Sequence, residues 1–409
     1  MTILPFLHED TNKFDTLLFC ILTVLFSLAT GAILYLLPLY LLGLVGSAAL
    51  VGLIIGSTYL WNIAVDLLLT TLGKKSRYSQ IVKVSFLVLI LFATVNTVHV
   101  DIRFVIISLL MLGTAQELFQ FGTYQYIAQK GNDHTYAHLF SIFSFFSALG
   151  LSLGPIVSSY VLTIHYRFIF DIVGYIALIC VGISLIWLDR HSQNHQLELV
   201  KPFARWSLVK EWHVWRHLLR GDITLFFAFL LFGVFWGMVW FVGPLLSLDT
   251  LHLGAWAGVL MGAFSLPRML PRSWFKALHI ISPPYQIALS FLCTGFSLLL
   301  FTVVTNPVLI LLCAFVAVAV LQIAYPTVAT LLEEKAKQSQ DQSQYEGGSL
   351  LFRNVGYILG SLIAGALVAQ SHSLTYPFLV LSLLFFIAAL LFAYHAKTTS
   401  IVEWLSRKI

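Results

Sequence analysis

Charge is scarce in this chain. Only 10% of its 409 residues are Asp, Glu, Lys or Arg, against 59% hydrophobic. A soluble domain of that size could not cover itself with polar surface, so that class is excluded. Cysteine is scarce too. Cys20, Cys180, Cys293 and Cys313 all lie in apolar runs, without the clustered spacing that a disulfide framework or metal site needs. They read as small core residues, the His do not cluster with them, and no metal site is expected. No glycine-rich phosphate loop with its Lys is present, so ATP is not expected as an energy source. No other cofactor and no nucleic-acid partner is expected. The N-terminal MTILPFLHEDTNKFD carries acids and no basic stretch leading to a cleavage site, so no removable signal peptide is expected.

Apolar length is abundant. A bilayer-spanning helix needs about 17–25 residues, and twelve runs qualify. They cover about 15–41, 48–72, 79–99, 103–128, 137–163 and 167–188, then about 222–247, 252–271, 283–304, 307–332, 348–370 and 375–396. The expectation is an all-α membrane protein with twelve transmembrane helices. With the N-terminus in the cytoplasm, that side receives Lys13, Lys74, Lys75, Arg77, Lys130, Arg190, Lys201, Arg205, Arg268, Lys335 and Arg407, among others. The opposite side receives only Arg103 and Arg167, and Arg353 lies inside a span. Basic residues favour the cytoplasmic face. Both termini are therefore expected inside, in a plasma membrane.

The longest polar stretch, 189–221, joins two expected halves, 1–188 and 222–409. Within it Leu208, Trp212, Trp215 and Leu219 recur at helical spacing, while Lys210, His217 and Arg220 occupy another face. That pattern suits a helix lying on the inner membrane surface. The polar segment 333–348 reads as a cytoplasmic loop.

The two halves repeat each other. A shift of 206 residues places Phe26 on Phe232, Gly31 on Gly237, Pro38 on Pro244, Gly56 on Gly262, Gln116 on Gln322, Gly150 on Gly356 and Gly154 on Gly360. Glycine and proline mark backbone positions, so their coincidence indicates a repeated fold. Parallel halves of this kind are a plan of secondary transporters, with the solute site between them.

Twelve spans, a six-plus-six repeat and a basic central loop resemble the major facilitator superfamily. Two local motifs add to the resemblance. Gly150-Leu-Ser-Leu-Gly154-Pro155 in the fifth span is similar to that family's G-x-x-x-G-P signature, commoner in exporters than in importers. The loop Leu72-Gly73-Lys74-Lys75-Ser76-Arg77 resembles the basic end of the family's loop 2–3 motif, with Thr70 where the family has an acid and Asp66 one turn earlier. The second-half counterpart, Pro267-Arg268-Met-Leu-Pro-Arg272, keeps the basic residues. The resemblance implies alternating access between two rocking halves. It also implies gating roles for Asp66, Gly73, Lys74, Lys75, Arg77, Gly150, Gly154, Pro155, Arg268, Arg353 and Asn354. Asp66 and Arg353 are expected to form a cytoplasmic latch, unless Asp66 pairs with Lys74 or Arg77 and Arg353 extends to the headgroups.

Polar groups at membrane depth are costly and therefore point to function. Glu117 is the one acid near the middle of a span, and a carboxyl there can carry a coupling proton or serve as a neutral hydrogen-bonding group. Gln116, Gln120 and Tyr124 share a helical face beside it. Gln322 occupies the place of Gln116 in the other half. Solute-binding candidates are Gln116, Gln120 and Gln322, with Asn62 and the rings of Tyr35, Trp61, Trp236, Trp240 and Tyr325. Each of these also has an ordinary role as packing or interhelical bonding. The expected function is transport of a small organic solute, first as proton-coupled export. Cation-coupled uptake of a sugar-like solute is the alternative. An embedded enzyme or scaffold is a third class, but no Ser/His/Asp constellation at depth supports it. The expected partners are a small-molecule substrate, protons and the lipid bilayer, and the expected state is a monomer.

Overall fold

The computed structural model describes residues 12–69, 78–98, 101–130, 136–191, 208–249, 254–270, 281–338 and 342–406, and no strand occurs among them. A chain this apolar can satisfy its backbone groups in lipid only as helix. The helices are α1 (Asn12–Val45), α2 (Ala48–Leu69), α3 (Tyr78–Val98), α4 (Ile102–Lys130), α5 (Tyr136–Leu162) and α6 (Arg167–His191). They continue with α7 (Leu208–Asp249), α8 (Gly258–Ser265), α9 (Pro283–Val303), α10 (Pro307–Gln338), α11 (Gln342–Ser371) and α12 (Tyr376–Ser406). Eleven are long and apolar enough to cross a membrane. The exception is α8, held between tight 3-10 turns at Gly254–Trp256 and Leu266–Met269. Those three pieces occupy the expected eighth span, so the run is present but broken. Pro267 sits at the start of the second turn, where its missing N–H interrupts the α-helical ladder.

Two polar segments differ from expectation: the helix expected as a separate surface element is continuous with a span, and the expected loop is mostly helical. Residues 208–221 run unbroken into the seventh span, making α7 42 residues long; the remainder of the joining segment, 192–207, lies outside the described residues. Likewise α10 continues to Gln338 and α11 starts at Gln342, across most of the expected loop. Glu333, Glu334, Lys335, Ala336, Lys337 and Gln338 are all strong helix formers, and no proline stops them.

Local chemistry sets the helix ends. Gly46 and Ser47 alone separate α1 from α2. Gly46 has φ +70°, and its N–H reaches the Leu42 carbonyl at 2.8 Å, a left-handed cap that suits glycine. Asp101 and Asn306 begin α4 and α10. Their Oδ1 atoms accept the N–H of Arg103 at 2.8 Å and of Val308 at 2.9 Å.

Contacts divide the chain into two units. The first is Met1–Tyr40, Trp61–Pro202 and Gly254–Gly258; the second is Leu41–Leu60, Phe203–Leu253 and Val259–Ile409. They follow chain order apart from two exchanges. The first part of α2 packs on α11 in the second unit, where a Cβ on Gly52 would meet the Gly365 Cα at 3.1 Å. The entry to α8 packs on α5 in the first unit, where Ser159 Oγ donates to the Ala255 carbonyl at 2.8 Å.

The sequence repeat is also a packing repeat. Displaced by 206 residues, the starts of α3, α4 and α5 fall within one residue of those of α9, α10 and α11. In the first unit, a Cβ on Gly150 would strike the Val24 carbonyl, and one on Gly154 the Leu28 carbonyl, both on α1. In the second, Gly356 meets the Leu230 carbonyl and Gly360 the Val234 carbonyl, both on α7. Every residue in one set has its counterpart 206 positions away. Lipid offers helices no hydrophobic drive to associate, so close approach at small residues supplies the attraction through dispersion.

Aromatic rings fill each unit. Phe26 stacks on Phe119 with centroids 4.0 Å apart, and Phe19 on Tyr126 at 4.3 Å. In the second unit Phe232 meets Phe291 at 5.8 Å and Tyr325 at 5.2 Å, both edge-on. The outer surface is apolar as well. On α9, Tyr285, Leu289, Leu292, Phe296, Leu300 and Val303 stand exposed at intervals of three and four, one helical face turned to lipid. By contrast, 89% of the span in α7 is buried, so its side chains are the ones that line the interior of the second unit.

Candidate functional site

The first unit brings its polar candidates together between α2 and α4. Glu117 lies at the middle of α4, half-buried, with Gln116 and Gln120 beside it. Gln120 Nε2 donates to Tyr124 Oη at 2.9 Å, one turn further along the same face. From α2, Trp61 Nε1 donates to Thr114 Oγ1 at 2.9 Å, while its ring stays 39% exposed. Next to it Asn62 is 5% exposed and turns its amide toward Gly113 of α4. A Cβ on Gly113 would collide with Asn62 Oδ1, so glycine is what makes room for the amide. That oxygen is buried and has no hydrogen-bond partner among the described residues. A buried orphan acceptor carries a penalty of roughly 1–3 kcal/mol, which a bound donor would remove.

The second unit assembles a different chemistry. Trp236 and Trp240 lie one turn apart on α7, both buried, with ring centroids 6.5 Å apart. The guanidinium of Arg268, on the 3-10 turn after α8, lies 3.7 Å from the centroid of the Trp236 ring. Arg353 of α11 points its Nη1 at Tyr325 Oη of α10, 3.4 Å away. One turn on from Arg353, Tyr357 stacks on Tyr59 of α2 at 4.7 Å and 17°.

The remaining candidates are spread more widely. Tyr35 is fully buried on α1. Gln322 is half-buried on α10, one turn before Tyr325. Gly150, Gly154 and Pro155 hold α5 against α1, and Pro155 also contacts Gly258 through its carbonyl. Asp66 is half-buried near the end of α2, and Asn354 is buried on α11 beside Arg353. Gly73, Lys74, Lys75 and Arg77 lie outside the described residues. Among the described residues no group of three potential metal ligands occurs, although His213 and His217 do stand four apart at the start of α7.

Several contributors escaped the sequence reading. Gly113, Thr114 and Tyr357 are in contact with candidate residues, and Tyr59 stacks on Tyr357. For Tyr357 the signal was its i, i+4 relation to Arg353. Asp15 was missed too; it is buried at the start of α1, and Lys130 at the end of α4 lies 3.6 Å from it.

A family model described as the major facilitator superfamily matches residues 19–345, and the chain belongs to that family. It is a multi-pass membrane transporter of small solutes and not an enzyme. No curated protein sequence matches it. Among solved structures, an Asp-to-Ala variant of the nucleoside transporter NupG superposes with a TM-score of 0.72 at 16% identity, covering 93% of this chain and 99% of that one. NupG without the substitution gives a TM-score of 0.67 at 14% identity, covering 93% and 98%. At such identities the likeness shows the fold alone.

Proposed function

We propose that the protein exports a small polar organic solute in exchange for protons, by alternating access of the halves 1–188 and 222–409 joined through 189–221. The observation that carries the coupling is Glu117. An acid at the middle of an apolar span is expensive as an isolated charge, and it stands where amides and aromatic rings converge. Loading solute and proton at one place makes them compete, which is what exchange requires. Gln116, Gln120, Asn62 and Trp61 bind the solute in the first half; Gln322, Tyr325, Trp236 and Trp240 bind it in the second. The G-x-x-x-G-P stretch supports the direction, because it resembles the signature commoner in exporters. The glycine contacts of α5 on α1 serve gating together with Pro155, Asp66 and the basic segment Gly73–Arg77. The protein works as a monomer in a plasma membrane, with both termini in the cytoplasm.

The test is transport into vesicles reconstituted with the protein. Solutes are chosen from those that raise its melting temperature, since a ligand of the native state stabilises by mass action. Uridine and adenosine are among the first to try, given the nucleoside transporter of like fold. Exchange predicts accumulation when the vesicle interior is acidic. Accumulation only when the exterior is acidic means proton-coupled uptake instead. Glu117→Gln, a fixed neutral form, is expected to abolish the response to the gradient and to retain solute-for-solute exchange. An unchanged gradient response in that variant removes Glu117 from the coupling.

A further inference from the structure

The eighth span is interrupted inside its apolar run. Its helix, α8, ends at Ser265, and the 3-10 turn Leu266–Met269 follows. Pro267 contributes no N–H there, and the Leu270 N–H closes the turn on the Pro267 carbonyl at 3.0 Å. Ser265 marks the junction. Its backbone is still helical, with φ −91° and ψ −34°. Its hydroxyl is fully buried and has no hydrogen-bond partner among the described residues. A helical serine ordinarily returns its hydroxyl to the carbonyl one turn back, as Ser361 of α11 does to Tyr357 at 3.0 Å. The orphan at Ser265 is therefore a cost that another setting of the chain at this junction can relieve.

Two contacts fasten this stretch to α7, one on each side of the junction. Before it, Met261 of α8 places its sulfur where a Cβ on Gly243 would stand. After it, the Arg268 guanidinium lies 3.7 Å from the centroid of the Trp236 ring, about two helical turns further along α7. Arg268 also donates a hydrogen bond to Tyr357 of α11. The first contact is a steric fit between a flexible side chain and a glycine. The second is the attraction of a cation to an aromatic face and a phenol oxygen. Arginine keeps its charge, and a charge inside a span is costly without such partners. Neither partner is a fixed charge, so the contact can part and re-form without stranding an opposite ion.

We propose that Leu266–Leu270 is a hinged flap of the eighth span, and that Arg268 is its catch. In the closed setting Arg268 holds the flap on Trp236 and Tyr357. In the open setting the flap leaves α7 at the junction between Ser265 and Pro267, while α8 stays seated through Met261. The flap does not depend on the direction of transport or on coupling through Glu117.

Hydrogen–deuterium exchange on the full chain in neutral detergent reads such local opening, through overlapping peptic peptides. In wild type, the amides of Leu266, Arg268, Met269 and Leu270 are expected to exchange roughly tenfold faster than those of Leu260–Phe264. Arg268→Gln and Trp236→Leu are each expected to speed the flap by roughly a further tenfold and to leave Leu260–Phe264 and α9 unchanged. Both changes remove one contact, so the double variant is expected to exchange no faster than the faster single one. Arg268→Lys keeps a cation on the ring and loses the planar fork. Its flap is expected to exchange at a rate between wild type and Arg268→Gln. Wild-type flap exchange as slow as that of Leu260–Phe264 overturns the proposal, and that comparison needs no variant. Acceleration spread evenly over the flap, α7 and α9 overturns it too, because that is a general loss of stability. So does a double variant in which the two accelerations multiply, since Arg268 and Trp236 would then act separately.

Discussion

At the scale of single residues, the question is which polar groups the fold can afford to leave incomplete. Asn62 is the sharpest case, with a buried amide oxygen that lacks a hydrogen-bond partner among the described residues. Replacement by an apolar residue of similar volume removes the orphan acceptor. Asn62→Leu is therefore expected to leave stability unchanged or to raise it by up to about 1–2 kcal/mol, while solute binding weakens. Melting in detergent, with and without a solute that stabilises wild type, reads both effects. A large fall in melting temperature without ligand would show that the amide is structural. The sequence identified Asn62, Trp61 and Glu117 as candidates because polar residues in apolar runs stand out. Their meeting with Gly113 and Thr114 was not legible, since periodicity gives the face of a helix and leaves its partner open. Arg268 shows the same limit. Its number placed it near the cytoplasmic end of a span, and only the break at Pro267 brings it onto Trp236.

At the scale of elements, glycines sort into those that hold helices together and those that do not. Gly154 has no room for a side chain, because a Cβ would sit 2.6 Å from the Ala32 N and 2.8 Å from the Gly31 C. Gly360, its repeat partner, faces the Val234 backbone at 3.0 Å. Gly182, in the middle of α6, has nothing within 4 Å of that position. The same substitution should then change sign with context. Gly154→Ala and Gly360→Ala are each expected to destabilise by roughly 1–3 kcal/mol, the usual cost of overpacking. Gly182→Ala is expected to be neutral or to stabilise by about 0.5–1 kcal/mol, as alanine does over glycine inside a helix. Thermal unfolding of the three variants decides it, and destabilisation by Gly182→Ala as large as by Gly154→Ala would sink the claim. The 206-residue spacing was readable without a structure, because glycines recur at fixed intervals only where the backbone demands them. What it left hidden was the contact partner, the same stretch of α1 or α7 in each copy. The shortness of α8 was hidden as well, since its apolar composition matches that of a full span and Pro267 interrupts it from one position.

At the scale of the whole molecule, the distribution of basic residues predicts which way the protein faces. Among exposed described residues, Arg103 stands at the start of α4 and Arg167 at the start of α6, while Lys335 stands near the end of α10. If the broken eighth span also crosses, seven crossings separate the start of α4 from the end of α10, and Arg103 and Lys335 are expected on opposite sides. The sequence pattern assigns Lys130 and Lys335 to the side expected to carry the many cations of 74–77 and 190–220. Lys and Arg in short loops are retained in the cytoplasm, so Lys335 is expected inside and Arg103 outside. Labelling can read this directly. In a background with Cys20, Cys180, Cys293 and Cys313 replaced by Ala, Arg103→Cys or Lys335→Cys introduces one exposed thiol. Intact cells treated with a membrane-impermeant maleimide are expected to label the Arg103→Cys protein and to spare the Lys335→Cys protein until the cells are opened. Removing one external arginine makes the charge bias stronger, so Arg103→Cys does not invert the protein. Lys335→Cys removes one cation among many and leaves the bias intact. The reverse labelling pattern would place both termini outside and would turn the proposed export into movement toward the cytoplasm.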